Sequence, residues 1–223
     1  MSLILNIDTA TETAQVSFAK DGKLLHSLHN DSQKDHASFL QVAIQQLMKT
    51  AAIKLNDVDA VAVTAGPGSY TGLRVGMSSA KGLCYSLNKP LIAINTLEIL
   101  TVAAIGQSHD TVNFFYCPMI DARRMEVFTA IYSSKTTTIL SPCAMILQQD
   151  SFIKELEKNK IVFFGSGADK WRAICHHPNA SFTVVSNLAA AMAQLSQDYF
   201  IRKDFANLAY SEPFYLKEFQ DKT

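Results

Sequence analysis

The chain has little charge and no surplus of either sign. Twenty Lys and Arg stand against twenty Asp and Glu, charged residues make up 18%, and no run of five like charges occurs. It therefore lacks the electrostatic footprint of a self-sufficient nucleic-acid or membrane-surface binder, and a nucleic-acid role needs charge from a partner. Cysteine is sparse: Cys84, Cys117, Cys143 and Cys175 form no C-x-x-C pair and have no histidine at zinc-site spacing. That pattern predicts free thiols in a reducing, cytoplasmic compartment. Long apolar runs are missing as well. The longest uncharged stretch, Ala173 to Gln197, is broken by Pro178, two histidines and many Ser, Asn and Gln, and Leu3 to Asp8 opens the chain without a basic leader. Neither a signal peptide nor a membrane span is expected.

What is present is apolar residue: 48% of 223 positions, enough to bury about 70 per cent of the extended surface without disulfide or metal staples. Leu3 to Thr9, Thr13 to Phe18 and Lys23 to Asn30 read as three antiparallel strands, with Asp21-Gly22 as a hairpin turn. Asp35 is placed to cap a helix carrying Leu40, Ala43, Ile44, Leu47, Met48 and Ala51 at helical spacing. Val58 to Thr64 is a buried strand, Leu73 to Leu87 a helix, Pro90 to Ile94 a strand, and another helix begins near Asn95 or Thr96. This is the order of a ribonuclease-H-like α/β lobe.

The second half opens on Val112 to Ile120, an apolar run ending in Asp121, followed by a strand from Met125 to Tyr132. Ile7-Asp8 and Ile120-Asp121 then hold equivalent places. Either the lobe is internally duplicated or two strands both happen to end in Asp. Later elements are a short helix from Phe152 to Lys158, a strand from Ile161 to Phe164, a turn at Gly165-Ser166-Gly167 and an amphipathic helix from Leu188 to Phe200. The expected lobes are 1–108 and 109–223, with the last segment free to pack back on the first.

Five of the nine glycines, Gly66, Gly68, Gly72, Gly76 and Gly82, fall within one short stretch. A glycine loop entering a helix can present backbone N–H groups to an anion. Yet Gly66-Pro67-Gly68-Ser69-Tyr70-Thr71-Gly72 has no Lys to reach a phosphate, so it is not a P-loop. The favoured alternative gives Gly72, Gly76 and Ala80 a packing role as a smooth face for another helix, because glycine inside a helix costs about 1 kcal/mol and something must offset it. A serine nucleophile elbow fails on spacing, since Pro67 and Phe164 stand where glycine is needed before Ser69 and Ser166. His26 and His29 point to opposite faces of a strand, His176 and His177 are adjacent, and His36 sits near a helix start, so no ligand set emerges. Asp8 and Asp121 read as residues that brace turns. Arg123 and Arg124 can meet a phosphate or simply be solvated.

Asp8-Thr9-Ala10-Thr11-Glu12-Thr13, the run from Gly66 to Gly76, and Asp121-Ala122-Arg123-Arg124 together resemble the TsaB (YeaZ) family. The closing Glu212-Pro213-Phe214-Tyr215-Leu216-Lys217 is similar too, with Lys where that family more often has Arg. The resemblance implies two ribonuclease-H-like lobes of the actin, sugar kinase and Hsp70 (ASKHA) superfold. It further implies a non-catalytic partner of a TsaD-like enzyme in making threonylcarbamoyladenosine (t6A) next to the anticodon of tRNAs reading codons that begin with adenine. TsaC-like and TsaE-like proteins would act elsewhere in the pathway, and tRNA would be met only through the complex. Alternatives are an ATP phosphotransferase or ATPase of the same superfold, and a glycoprotease-like peptidase.

Where a TsaD-like chain carries two metal-binding histidines, the matching stretch here, Pro90 to Leu100, places Thr96 and Leu100. Leu cannot coordinate a cation, so the resemblance implies no metal. It implies no cofactor either, the Asp-x-Gly turns of ATP-binding members being Asp8-Thr9-Ala10 and Asp121-Ala122-Arg123 here. An adenine nucleotide at a lobe or subunit interface would fall to Asp8, Thr9, Asp121, Gly165 and Gly167. The implied interface, shared between a homodimer and the TsaD complex, is the pair of helices 35–51 and 72–87, through Gly72, Gly76, Ala80, Tyr85, Leu47 and Met48. On that reading Gly76→Leu breaks the interface and spares the fold.

Overall fold

The computed structural model describes residues 1–31, 36–108 and 114–217. The chain forms two compact units, one of residues Met1–Thr96 and Asn187–Phe214, the other of Leu97–Ser186 and the segment from Tyr215 on. The division differs from consecutive halves cut at 108.

In the first unit β1 (Leu3–Asp8), β2 (Ala14–Lys20) and β3 (Lys23–Asn30) form the antiparallel meander, and β4 (Ala60–Gly66) and β5 (Leu91–Asn95) add in parallel beside β1. The sheet order is β3-β2-β1-β4-β5. Helices α1 (His36–Ala51) and α2 (Tyr70–Leu87) pack their apolar stripes onto one sheet face. Leu40, Ala43, Ile44 and Leu47 meet Met77, Ala80 and Cys84 over Leu5, Ile7, Val16, Phe18, Val61 and Val63. The expected cap Asp35 lies outside the described residues. α2 starts at Tyr70 because Ser69 Oγ accepts the Gly72 N–H at 3.3 Å, and it ends where Asn88 turns left-handed at φ 52°. Both faces of β1 and β4 are covered, which is why these central strands read as continuous apolar runs.

The second unit repeats this plan. α3 (Thr96–Gln107) leads to β6 (Phe114–Asp121), β7 (Glu126–Ser133) and β8 (Thr138–Ile146), an antiparallel meander. Then α4 (Ile153–Leu156), β9 (Lys160–Phe164), α5 (Ala168–Arg172) and β10 (Ala180–Phe182) follow, β9 and β10 running parallel beside β6. The order β10-β9-β6-β7-β8 matches the first sheet strand for strand. An identical strand order and identical pairing senses support duplication over coincidence. β8, β10 and α5 leave no mark in the sequence reading. β8 is an exposed edge strand holding Pro142, so it shows neither alternation nor an unbroken apolar run. Finally α6 (Leu188–Arg202) returns to the first unit and packs on β1, β2, β3 and β5.

The second core centres on Trp171, 1% exposed, whose ring lies edge-on to Phe152 at 5.5 Å and Phe163 at 6.0 Å between centroids. Trp171→Ala should lower the stability of this unit by about 3–5 kcal/mol, the range for truncating a buried large aromatic. Urea titration followed by far-UV circular dichroism checks this, with Trp171→Phe expected to recover most of the loss.

Candidate functional site

At the carboxyl ends of β1 and β4, the β1–β2 turn sits directly on the glycine loop. Asp8, 5% exposed, accepts from Thr64 Oγ1 at 2.6 Å and from the Ala10 N–H at 3.0 Å, which folds the turn back over the strand end. Thr9 Oγ1 donates to the Gly72 carbonyl at 2.7 Å, and the Ser69 N–H donates to the Ala10 carbonyl at 2.6 Å. Each glycine follows from this approach. A Cβ at Gly68 would strike the Ala10 carbonyl oxygen, one at Gly72 the Thr9 carbonyl oxygen, and one at Gly76 the Thr9 hydroxyl. Gly66, at φ +116°, faces the carbonyl of Phe214, whose N–H donates to the Ala65 carbonyl at 2.6 Å.

The expected helix-on-helix face is therefore corrected. Gly72, Gly76 and Ala80 are buried against the chain's own turn and sheet, and Leu47 is 1% exposed in the core. Large side chains there would disrupt the unit itself, so Gly76→Leu does not spare the fold. Tyr85 is 83% exposed and Met48 half-buried. Gly82 is exposed, and a Cβ there would meet nothing within 4 Å. It stands off the four-residue register of Gly72, Gly76 and Ala80.

The geometry also bears on anion binding. At the α2 N-terminus, where an anion's negative charge would gather, the Ala10 carbonyl takes the Ser69 N–H and the Ser69 hydroxyl takes that of Gly72. Two of the loop's N–H groups are thus taken by the chain itself.

The second unit repeats the device at the end of β6. Gly165, at φ +98°, and Gly167 leave no room for a Cβ, the first against the Met119 carbonyl and the second against Val127 and Ile120. The Asp121 N–H donates to Ser166 Oγ at 3.1 Å, and Asp121 Oδ1 accepts from the Arg123 N–H and from Lys170 Nζ, both at 2.6 Å. Partial burial acts to raise the Asp121 carboxyl, but the Lys170 hydrogen bond and the Arg123 N–H outweigh it and hold the group below its ordinary 3.8. The two aspartates and their glycine turns are thus brought together within each unit.

Thr96 is 2% exposed with no partner for its hydroxyl among the described residues, and Leu100 is 7% exposed. Among the described residues no group of three or more His, Cys, Asp and Glu is placed to hold a metal ion. Burial pushes the Cys84 thiol up to about 11, against a smaller lowering by a backbone hydrogen bond. Burial likewise raises Cys117 and Cys143. These three thiols stay protonated near neutral pH and offer no thiolate nucleophile. No helix among the described residues is long and apolar enough to cross a membrane.

Residues 28–218 match the family model described as TsaD, tRNA N6-adenosine threonylcarbamoyltransferase. The chain is 31% identical over 163 residues to the tRNA threonylcarbamoyladenosine biosynthesis protein TsaB of Bacillus subtilis, covering 72% of this chain and 69% of that protein. With the same-named protein of Haemophilus influenzae it shares 28% identity over 228 residues, 96% of this chain and 93% of the relative. In fold it resembles YeaZ from Pseudomonas aeruginosa, with a TM-score of 0.79 at 24% identity over 97% of this chain and all of that one. A polyphosphate/ATP-glucomannokinase from Arthrobacter aligns with a TM-score of 0.53 at 11% identity over 91% of this chain and all of that one, which places the two-lobed α/β fold among sugar-kinase-type folds.

Two outcomes follow from this geometry. Gly76→Ala should destabilise the protein, and in a Thr9→Ala background, where the obstructing hydroxyl is gone, it should cost less by about 1 kcal/mol or more; a double-mutant cycle by thermal or urea melting measures the coupling. Asp121, with its lowered folded-state value, contributes stability that is present above the unfolded 3.8 and is lost as pH falls through the folded value. Lys170→Met should move the Asp121 carboxyl titration, read by NMR, upward toward the ordinary value; an unmoved titration would show that Lys170 does not hold it down.

Proposed function

The chain belongs to the TsaB (YeaZ) family, which shares its domain with TsaD, and from that premise we propose that it is the non-catalytic partner of a TsaD-type enzyme. Together they transfer a threonylcarbamoyl group to the adenosine beside the anticodon of tRNAs that read codons beginning with adenine. A TsaE-like ATPase joins through the complex, a homodimer forms when the enzyme is absent, and tRNA is engaged only in the assembly, in the cytoplasm.

The observation that carries this reading is the pair of backbone carbonyls, of Thr9 and Ala10, seated on the glycine loop. A loop closed by its own chain serves as a rigid brace rather than as a cradle for a transferred group. Thr96 and Leu100 supply no ligand pair at the start of α3, in keeping with a subunit that leaves metal and nucleotide to its partner.

The surface offered to that partner is the outward side of α1 and α2, which lie side by side and touch through Gln41 and Ser79 at 3.4 Å. Val42, 63% exposed, Tyr85 and the half-buried Met48 supply apolar area there. Gly82 supplies a dip beside Tyr85 at a helix position where alanine would be favoured by about 1 kcal/mol. Large apolar groups beside small ones make anchor pockets at interfaces.

Reconstitution tests the proposal. With a TsaD-type enzyme, threonylcarbamoyl-adenylate and tRNA, t6A should appear only when both proteins are present. The chain alone should neither hydrolyse ATP nor bind tRNA measurably at physiological salt. Gly82→Leu and Tyr85→Glu should each weaken both the heterodimer and the homodimer about tenfold or more, with an unchanged melting temperature. ATP turnover by the isolated chain, or full t6A formation without it, defeats the proposal.

A further inference from the structure

The turn joining β6 to β7 holds Arg123 at φ 70° and Arg124 at φ 49°, two consecutive left-handed residues. Hairpins that need this conformation take Asn-Gly or Asp-Gly, because a Cβ there crowds the backbone. Arginine pairs are a poor choice on conformational grounds, and such strain persists where the side chains have a task.

The surrounding charges indicate the task. Each carboxylate at the base of the hairpin is closed by a lysine from another part of the same unit. Asp121 meets Lys170 of α5 at 2.6 Å, and Glu126 meets Lys217 of the C-terminal segment at 2.6 Å. Lys170 Nζ also donates to the Glu126 carbonyl at 3.3 Å, and the Glu126 N–H donates to the Arg123 carbonyl at 3.0 Å, so the hairpin base is braced on both sides. With the acids neutralised, the two exposed guanidiniums make no ion pair among the described residues. They put two positive charges at the tip of a braced hairpin, Arg123 being within electrostatic reach of the Asp121 carboxylate that Lys170 already pairs, in a chain whose formal net charge is zero. Guanidinium is the group suited to paired hydrogen bonds with phosphate oxygens.

We propose that the Arg123–Arg124 tip contacts the phosphodiester backbone of the tRNA in the assembled complex, an inference that rests on the function proposed above. Two contacts are too few to hold RNA alone and add to those of the enzyme. They position the RNA without reading its sequence.

The test uses the complex of the full chain with its TsaD-type enzyme and compares wild type with Arg123→Asn/Arg124→Gly. That pair suits the left-handed turn, so its melting temperature should equal or exceed the wild type's. The expected result is unchanged assembly, tRNA affinity about tenfold lower near physiological salt, and a salt slope shallower by between about 1.4 and 1.8, the counterion release of two phosphates. Unaltered tRNA affinity and slope overturn the contact alone. Loss of assembly with the enzyme overturns it in favour of a contact to acidic protein. A wild-type chain that fails to join the enzyme or to support t6A overturns the underlying function, and the contact with it.

Discussion

The first unit depends on a backbone-to-backbone approach. For the β1–β2 turn to close over the end of β4, the carbonyls of Thr9 and Ala10 must come as near to α2 as main chain allows. No side chain other than hydrogen fits between them. Gly68 and Gly72 are the consequence, Gly76 makes room for the Thr9 hydroxyl, and the helix tolerates its glycines there because the hydrogen bonds of Thr9 and Ser69 and the burial of its remaining apolar face offset their weakness. At the N-terminus of α2 the same approach brings the Ala10 carbonyl to the Ser69 N–H.

The second unit solves the same problem with fewer glycines. Its sheet has the same strand order, its first strand also ends in Asp, and a glycine turn follows the equivalent parallel strand. Here, though, the short α5 presents no long small-residue face, and side chains take over. Ser166 receives the Asp121 N–H and Lys170 pairs with its carboxylate. A duplicated plan has diverged from backbone packing in one copy to side-chain bonding in the other. Only the second copy carries an arginine tip.

The C-terminal segment ties the first unit at its edge. The Ala206 N–H donates to the Leu91 carbonyl at 2.8 Å, Lys81 Nζ reaches the carbonyls of Ala209 and Ser211 at 3.2 and 2.9 Å, and Phe214 closes on Gly66. The inner side of α2 is thereby committed to the turn and its flank to this strap. Its outer side, with Tyr85 and Gly82, is exposed.

The sequence by itself determined the elements whose burial is periodic or continuous: β1, β2, β4, β5, α1, α2 and α6 follow from apolar spacing, the exposed β3 from the Asp21-Gly22 turn before it, and the family from its motifs. It also located the aspartates and both glycine turns. Tertiary structure alone decided what those glycines are for. Spacing shows that Gly72, Gly76 and Ala80 share a helix face, but the same spacing serves a partner helix outside or a turn inside, and only the position of Thr9 and Ala10 distinguishes them. Edge strand β8 and the short β10 escaped because an exposed strand is held by its neighbour's hydrogen bonds, which leave no hydrophobic period in the sequence. The left-handed pair at Arg123 and Arg124 was hidden for a related reason: arginine carries no turn preference, so the conformation is imposed by the closure of β6 on β7 and not by the residues themselves.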